Sequence, residues 1–214
     1  ISIIQFKLEA QMRQKYLDWK MNNQGTLENI DFKRGVYILD GKEYELKDQL
    51  FPTVDVKDPY RLTPEEEDLV SKLHHSFRIS EKLQKHIRCL LSHGCMYGIF
   101  NGNLLFHASI PLNEDGSLKE VTLNGQQYKG KELMHHIGMY LRTAFQNDTP
   151  KTERQKARDY FWYLWCGPDS PLFDKDKMTT FERYFLVDKS LYHEEKGNYY
   201  KLREKPEICD NILD

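Results

Sequence analysis

Ile1, Ile4, Leu8, Met12, Tyr16 and Trp19 recur at steps of three and four, a spacing that puts them on one face of a helix which Gly25 can end. The period then changes. VYILDGKEYEL, residues 36–46, alternates apolar and polar positions around Asp40-Gly41, a pair that accepts the positive φ angles of a two-residue hairpin turn. After a proline-punctuated connection the helical period returns. Thr63 can cap, Pro64 fits a first turn, and Glu66 stands where a capping box needs it. Leu69, Leu73, Phe77, Leu83, Ile87, Leu90 and Leu91 then trace an amphipathic stretch that ends near Gly94, as one helix or two.

Two apolar runs joined by Asn101-Gly102-Asn103 predict a hairpin within 96–111, and Asn124-Gly125 marks another turn. Helical spacing resumes over Lys131 to Phe145 and Thr152 to Trp165, and the Gly-, Pro- and Asp-rich loop CGPDSPLFDKDKM ends it. Pro206 opens a last helix with Ile208, Ile212 and Leu213 and no stop signal before Asp214. With a helix already under way at residue 1, both ends read as cut. The expected class is α+β, divided into a helical segment with a small hairpin at 1–95, serving as a cap or insertion, and a second part at 96–214.

Charge narrows the range of partners. Among 214 residues, 31 Lys and Arg face 33 Asp and Glu, so no basic field recommends nucleic acid or an anionic membrane. No apolar run is long enough to span a bilayer and no basic region leads into an apolar signal core, which gives the expectation of a soluble, intracellular, cytoplasmic protein. Cys89, Cys95, Cys166 and Cys209 are scattered and form no C-x-x-C pair, so free thiols are expected.

Chemistry concentrates at one position. His107 ends the second run of the 96–111 hairpin, directly before Ala108, Ser109, Ile110 and Pro111. One reading is a satisfied histidine bonded to a carbonyl; the other is a strand delivering an imidazole to a sheet rim, where small neighbours allow approach to a metal or phosphate. The steps of eleven and seven residues among His75, His86 and His93 give no compact ligand set, and His135 and His136 diverge by about 100° on a helix. Tyr160, Phe161, Trp162, Tyr163 and Trp165 read as core, Glu65 to Asp68 as a helix-dipole cluster, and Lys177 and Arg183 as surface cations able to meet phosphate.

The strings NGNLLFHASIPLNEDG, DYFWYLWCGPDSPLFDKDKMTTFERYF, ISIIQFKLEAQ and SEKLQKHIRCLLSHG resemble the middle section of bacterial class 3 fructose-1,6-bisphosphatases. The resemblance implies a partial calcineurin-like metallophosphatase sandwich with mixed sheet elements, and hydrolysis of fructose 1,6-bisphosphate to fructose 6-phosphate and phosphate in gluconeogenesis. It also implies a dinuclear divalent-metal site, with manganese as the metal, in a homo-oligomer. That family's G-D-x-H, G-D-x-x-D-R-G, G-N-H-E and G-H-x-P motifs do not occur here, so among the implied metal ligands only His107 matches. A fragment holding one ligand is expected to be inactive alone. The family's glycine after this histidine is Ala108 here, and alanine lacks glycine's ready access to positive φ. Asp169, in a loop that resembles one bordering the catalytic cleft, and Arg183 are the substrate-binding candidates; no catalytic residue is assigned. The alternatives are a phosphoprotein phosphatase of the same fold and a noncatalytic helical module for oligomer contacts or regulation, drawn from residues 1–94.

Overall fold

A computed structural model describes residues 2–21 and 26–213. In chain order the elements are α1 (Ser2–Lys15), β1 (Ile30–Asp31), β2 (Val36–Leu39), β3 (Lys42–Glu45), α2 (Pro64–Ile79), α3 (Glu81–His93), β4 (Tyr97–Phe100), β5 (Asn103–Phe106), β6 (Val121–Leu123), β7 (Gln126–Tyr128), α4 (Gly130–Thr143), α5 (Lys151–Cys166), α6 (Thr180–Phe185), α7 (Asn198–Leu202) and α8 (Pro206–Leu213). They fall into two compact units, residues 1–86 with 178–194, and 87–177 with 195–214. The chain therefore passes between units at three places.

In the first unit β1, β2 and β3 form an antiparallel sheet in that order. Asp40 and Gly41 both take positive φ, 50° and 74°, and close the two-residue turn that the alternating pattern predicts. Behind the sheet lies a core of Phe6, Leu27, Tyr37, Leu46, Phe181 and Leu186 among others, with the Phe6 and Phe181 rings edge-on at 5.1 Å. Leu46 pairs with Leu186 in an isolated bridge, which ties residues 178–194 to this sheet.

The first helix departs from its predicted form. It stops at Lys15, and Trp19 lies in a separate 3-10 turn at Leu17–Trp19. Its buried residues are Phe6, Lys7 and Ala10, while Ile4, Leu8 and Met12 are only half-buried. The cause is Lys7, fully buried because its ammonium donates to Glu66 Oε2 at 2.7 Å and to the Thr53 carbonyl at 2.6 Å. Those bonds turn the helix so that Phe6 faces the core. Gly25, the expected stop, lies outside the described residues, as do Ile1 and Asp214.

The capping box at α2 forms as read. Thr63 Oγ1 accepts from the Glu66 N–H, and Glu66 Oε2 accepts from the Thr63 N–H at 2.9 Å. Residues 64–93 make two helices, because Ser80 turns extended and its hydroxyl accepts from the Leu83 N–H to start α3. The predicted inward stripe is exposed: Leu69, Leu73 and Phe77 face solvent in the structure described.

In the second unit, Asn101-Gly102 and Asn124-Gly125 repeat the positive-φ turn and close the β4–β5 and β6–β7 hairpins. Leu133 and Ile137 of α4 and Ala157, Tyr160 and Leu164 of α5 are buried. The Arg142 guanidinium donates to the carbonyls of Leu91, Gly138 and Gly94. Of the aromatic set, Tyr160 and Tyr163 are core as expected, but Trp165 is 71% exposed and Phe161 is also exposed, since they occupy the opposite face of α5. Helices and antiparallel strands together make the α+β class. Among the described residues the strands form three separate small sheets and no sandwich. The four cysteines are free thiols, and among the described residues no helix is long and apolar enough to cross a membrane.

Candidate functional site

The β4–β5 hairpin carries His107 one residue beyond its last strand position. The strand is anchored at that end by Phe106, whose ring meets Tyr199 edge-on at 5.7 Å. His107 itself is exposed. Ala108 then takes φ +58°, the left-handed conformation that an alanine adopts only at a cost. The methyl group was expected to keep the backbone out of that region. Instead the surroundings impose it, and Ser109 follows fully buried, with its N–H donating to the Pro171 carbonyl at 3.1 Å.

Pro171 belongs to the loop after α5, and that loop is built from its backbone outward. Ser170, fully buried, donates its hydroxyl to the Leu164 carbonyl at 2.6 Å and accepts from the Leu172 N–H at 3.2 Å. The Asp174 N–H returns to the Ser170 carbonyl at 2.8 Å. Asp174 is itself left-handed, φ +47°, and only 5% exposed. Residues 195–197 close over it: the Gly197 N–H donates to the Asp174 carbonyl at 2.9 Å, the Glu195 N–H to Asp176 Oδ1 at 2.7 Å, and Lys175 pairs with Lys196. A Cβ on Gly197 would lie 2.0 Å from Asp174 Oδ1, so the carboxylate can sit there only beneath a glycine.

Burial pushes the Asp174 carboxyl above the usual carboxylate range. The Ser109 hydroxyl opposes that rise, the Asp169 charge adds to it, and Lys119 opposes it. Ser109 Oγ and Asp174 Oδ2 are both shielded from water, and neither meets a partner in full hydrogen-bonding geometry. Burial likewise raises the Tyr160 and Tyr163 phenols, which stay neutral at physiological pH.

The three residues singled out from sequence are not equally placed. Asp169 lies in the same loop as Asp174 and pairs with Lys119 at 2.6 Å, both side chains being more than a third exposed. Arg183 belongs to the first unit, where it donates to Thr179 Oγ1 at 3.0 Å and to the Tyr192 carbonyl at 2.9 Å, with its guanidinium over the Tyr192 ring. His107 and Asp169 belong to the second unit. Among the described residues no three His, Cys, Asp or Glu side chains converge as a metal cluster would require. The donors among the described residues therefore do not make a complete dinuclear centre. Ser109 was read only as a small neighbour of His107, and the burial of Asp174 beneath Gly197 escaped the sequence reading. DSPLFDKD offers three aspartates, and nothing in the string marks the middle one as the buried one.

The model of the Firmicute fructose-1,6-bisphosphatase family matches residues 1–214. Proteins named fructose-1,6-bisphosphatase class 3 are similar over the whole chain: 57% identical in Bacteroides fragilis, 55% in Bacteroides thetaiotaomicron and, over 213 residues, 48% in Clostridium novyi. In each case the match covers 100% of this chain and 32% of the relative, so the chain spans about a third of the length of these relatives. No solved structure matches.

Proposed function

Because this chain belongs to the Firmicute fructose-1,6-bisphosphatase family, we propose that it is part of a longer phosphatase that hydrolyses fructose 1,6-bisphosphate to fructose 6-phosphate and phosphate. The observation that carries this reading is the match along all 214 residues, with relatives of that name more than half identical. Within it, His107 supplies one ligand to a pair of divalent cations, manganese being the metal proposed, and the other donors come from sequence outside this chain. The exposed imidazole at the carboxyl end of β5 suits that role, since a strand end holds the backbone still while leaving a ring nitrogen accessible. A calcineurin-like sandwich would likewise be completed by other parts of the protein. Asp169 is the better substrate-side candidate, because it shares a unit with His107, whereas Arg183 belongs to the first unit and commits its Nε to Thr179 and its Nη2 to Tyr192.

The test is manganese-dependent phosphate release from fructose 1,6-bisphosphate. The 214-residue chain is expected to give none. In the longer protein, His107→Ala is expected to lower bound manganese and to slow turnover by about 100-fold or more, the scale on which losing a metal's supporting contacts is felt. Full turnover by the variant would remove His107 from the site, and turnover by the isolated chain would mean that its own residues complete a centre.

A further inference from the structure

One face of the β4–β5 hairpin is apolar throughout. The register sets Tyr97 opposite Phe106 and Ile99 opposite Leu104, so all four side chains share that face. They line a cavity of about 490 Å³, whose other walls include Met134 of α4 and Ile212 and Leu213 of α8. Packed interiors leave few voids larger than a water molecule, whereas small-molecule sites span roughly 300–1,000 Å³. The elements around the cavity are seated beside it. Ile208 of α8 is buried against Gly116, where a Cβ would lie 2.1 Å from its Cδ1, and α4 begins at Gly130, where a Cβ would lie 2.8 Å from Leu118 Cδ1. Collapse of the walls onto the cavity would break both contacts.

The polar part of the lining is Lys129, Lys131, Glu132 and Asn211. Both lysines are exposed, and Lys129 makes no side-chain bond to the start of α4. Two cations against one carboxylate leave this rim net positive.

We propose that the cavity is a binding site for a small amphipathic carboxylate, its apolar chain seated between the hairpin and α8 and its charged end at Lys129 and Lys131. The walls select the body and the rim selects the end. A segment of polypeptide would bring backbone N–H and C=O groups that such walls cannot satisfy, and an alkyl chain brings none. All of these residues belong to the second unit, and the site does not depend on the reading of His107 as a metal ligand. Phe106 directly precedes His107, so an occupied cavity also steadies the strand that presents the imidazole.

Octanoate is the probe and octanol its neutral counterpart, each titrated by calorimetry into the 214-residue chain and into the longer protein. Octanoate is expected to saturate one site per chain in both. At ten times its dissociation constant it should slow amide exchange in β4 and β5 about tenfold, since the opened hairpin cannot bind it. Lys129→Gln with Lys131→Gln should weaken octanoate about three- to tenfold, the scale of two exposed ion pairs, and leave octanol unchanged. Ile212→Trp, with unchanged circular dichroism, should abolish binding of both, because the indole fills the cavity; the lysine variants carry the test where that variant misfolds. No saturable binding to the chain would overturn the proposal, as would octanoate binding that is indifferent to the lysines, survives Ile212→Trp or leaves β4–β5 exchange unaltered. Binding to the 214-residue chain but not to the longer protein would overturn it too, and would assign the cavity to the rest of the polypeptide.

Discussion

Ala108 shows how a single methyl group records a constraint. An alanine held at φ +58° costs about 1–2 kcal/mol more than a glycine there, and a glycine gives part of that back through the freedom it restores to the unfolded chain. Ala108→Gly is accordingly expected to stabilise the protein by up to about 1 kcal/mol, read as a higher denaturant midpoint at unchanged slope. Asp174 gives a prediction of known sign. Its carboxyl is raised above its unfolded value, so the ionised form opposes folding, and stability is lost as pH rises from the ordinary carboxylate value through the folded one. Asp174→Asn should therefore be the more stable protein at neutral pH, with the difference vanishing on acidification through that window in paired denaturation curves. What the sequence made legible at this scale was the place of His107, at the end of a hairpin strand. What it hid was the burial that follows in the chain and in the loop after α5, because Ser109 reads only as small and Asp174 as one acidic loop residue among several.

Between elements, one buried ion pair links α1 and α2, and it couples two features that the sequence offers only separately. Thr63-Pro64 and Glu66 spell a helix start, and the capping box forms. The same Glu66 carboxylate also receives Lys7, which the helical spacing of α1 does not mark as buried. Burial alone would raise the Glu66 carboxyl, but hydrogen bonds from Lys7 and from the Thr63 backbone hold it below the usual range. That lowered value contributes stability in full above the unfolded carboxylate pKa, about 4.3, and loses it as pH falls through the folded value. Glu66→Gln should thus be less stable than the wild type at neutral pH, with the gap closing below about pH 4 in acid titration followed by circular dichroism. The two-residue turns were legible because each needs positive φ at both positions and Asp-Gly or Asn-Gly provides it. The Leu69, Leu73 and Phe77 stripe was legible as a pattern only, because periodicity names a face and not its partner.

At the scale of the molecule, the division into two units and the return of residues 178–194 to the first of them arise from pairings far apart in sequence, such as Leu46 with Leu186 and Phe6 with Phe181. No local period carries that information. The strands likewise end after two to four residues, and a two-stranded hairpin such as β4–β5 is marginal by itself, with Ile99, Phe100 and Leu105 exposed. The cores are nonetheless distinct: Lys7 and Glu66 lie in the unit built on Tyr37 and Phe181, whereas His107 and Asp174 lie in the unit built on α4 and α5. Removing Lys7 leaves Glu66 as an unpaired buried charge, a loss of about 3 kcal/mol or more by the general cost of breaking such a pair. If each unit opens as its own cooperative block, Lys7→Met should lower hydrogen-exchange protection at Tyr37 and Phe181 by about 100-fold while Leu133 and Ile137 keep theirs. Equal losses at all four amides would instead mean one cooperative molecule, in which the buried Lys7–Glu66 pair sets the stability of the unit that carries His107 as well.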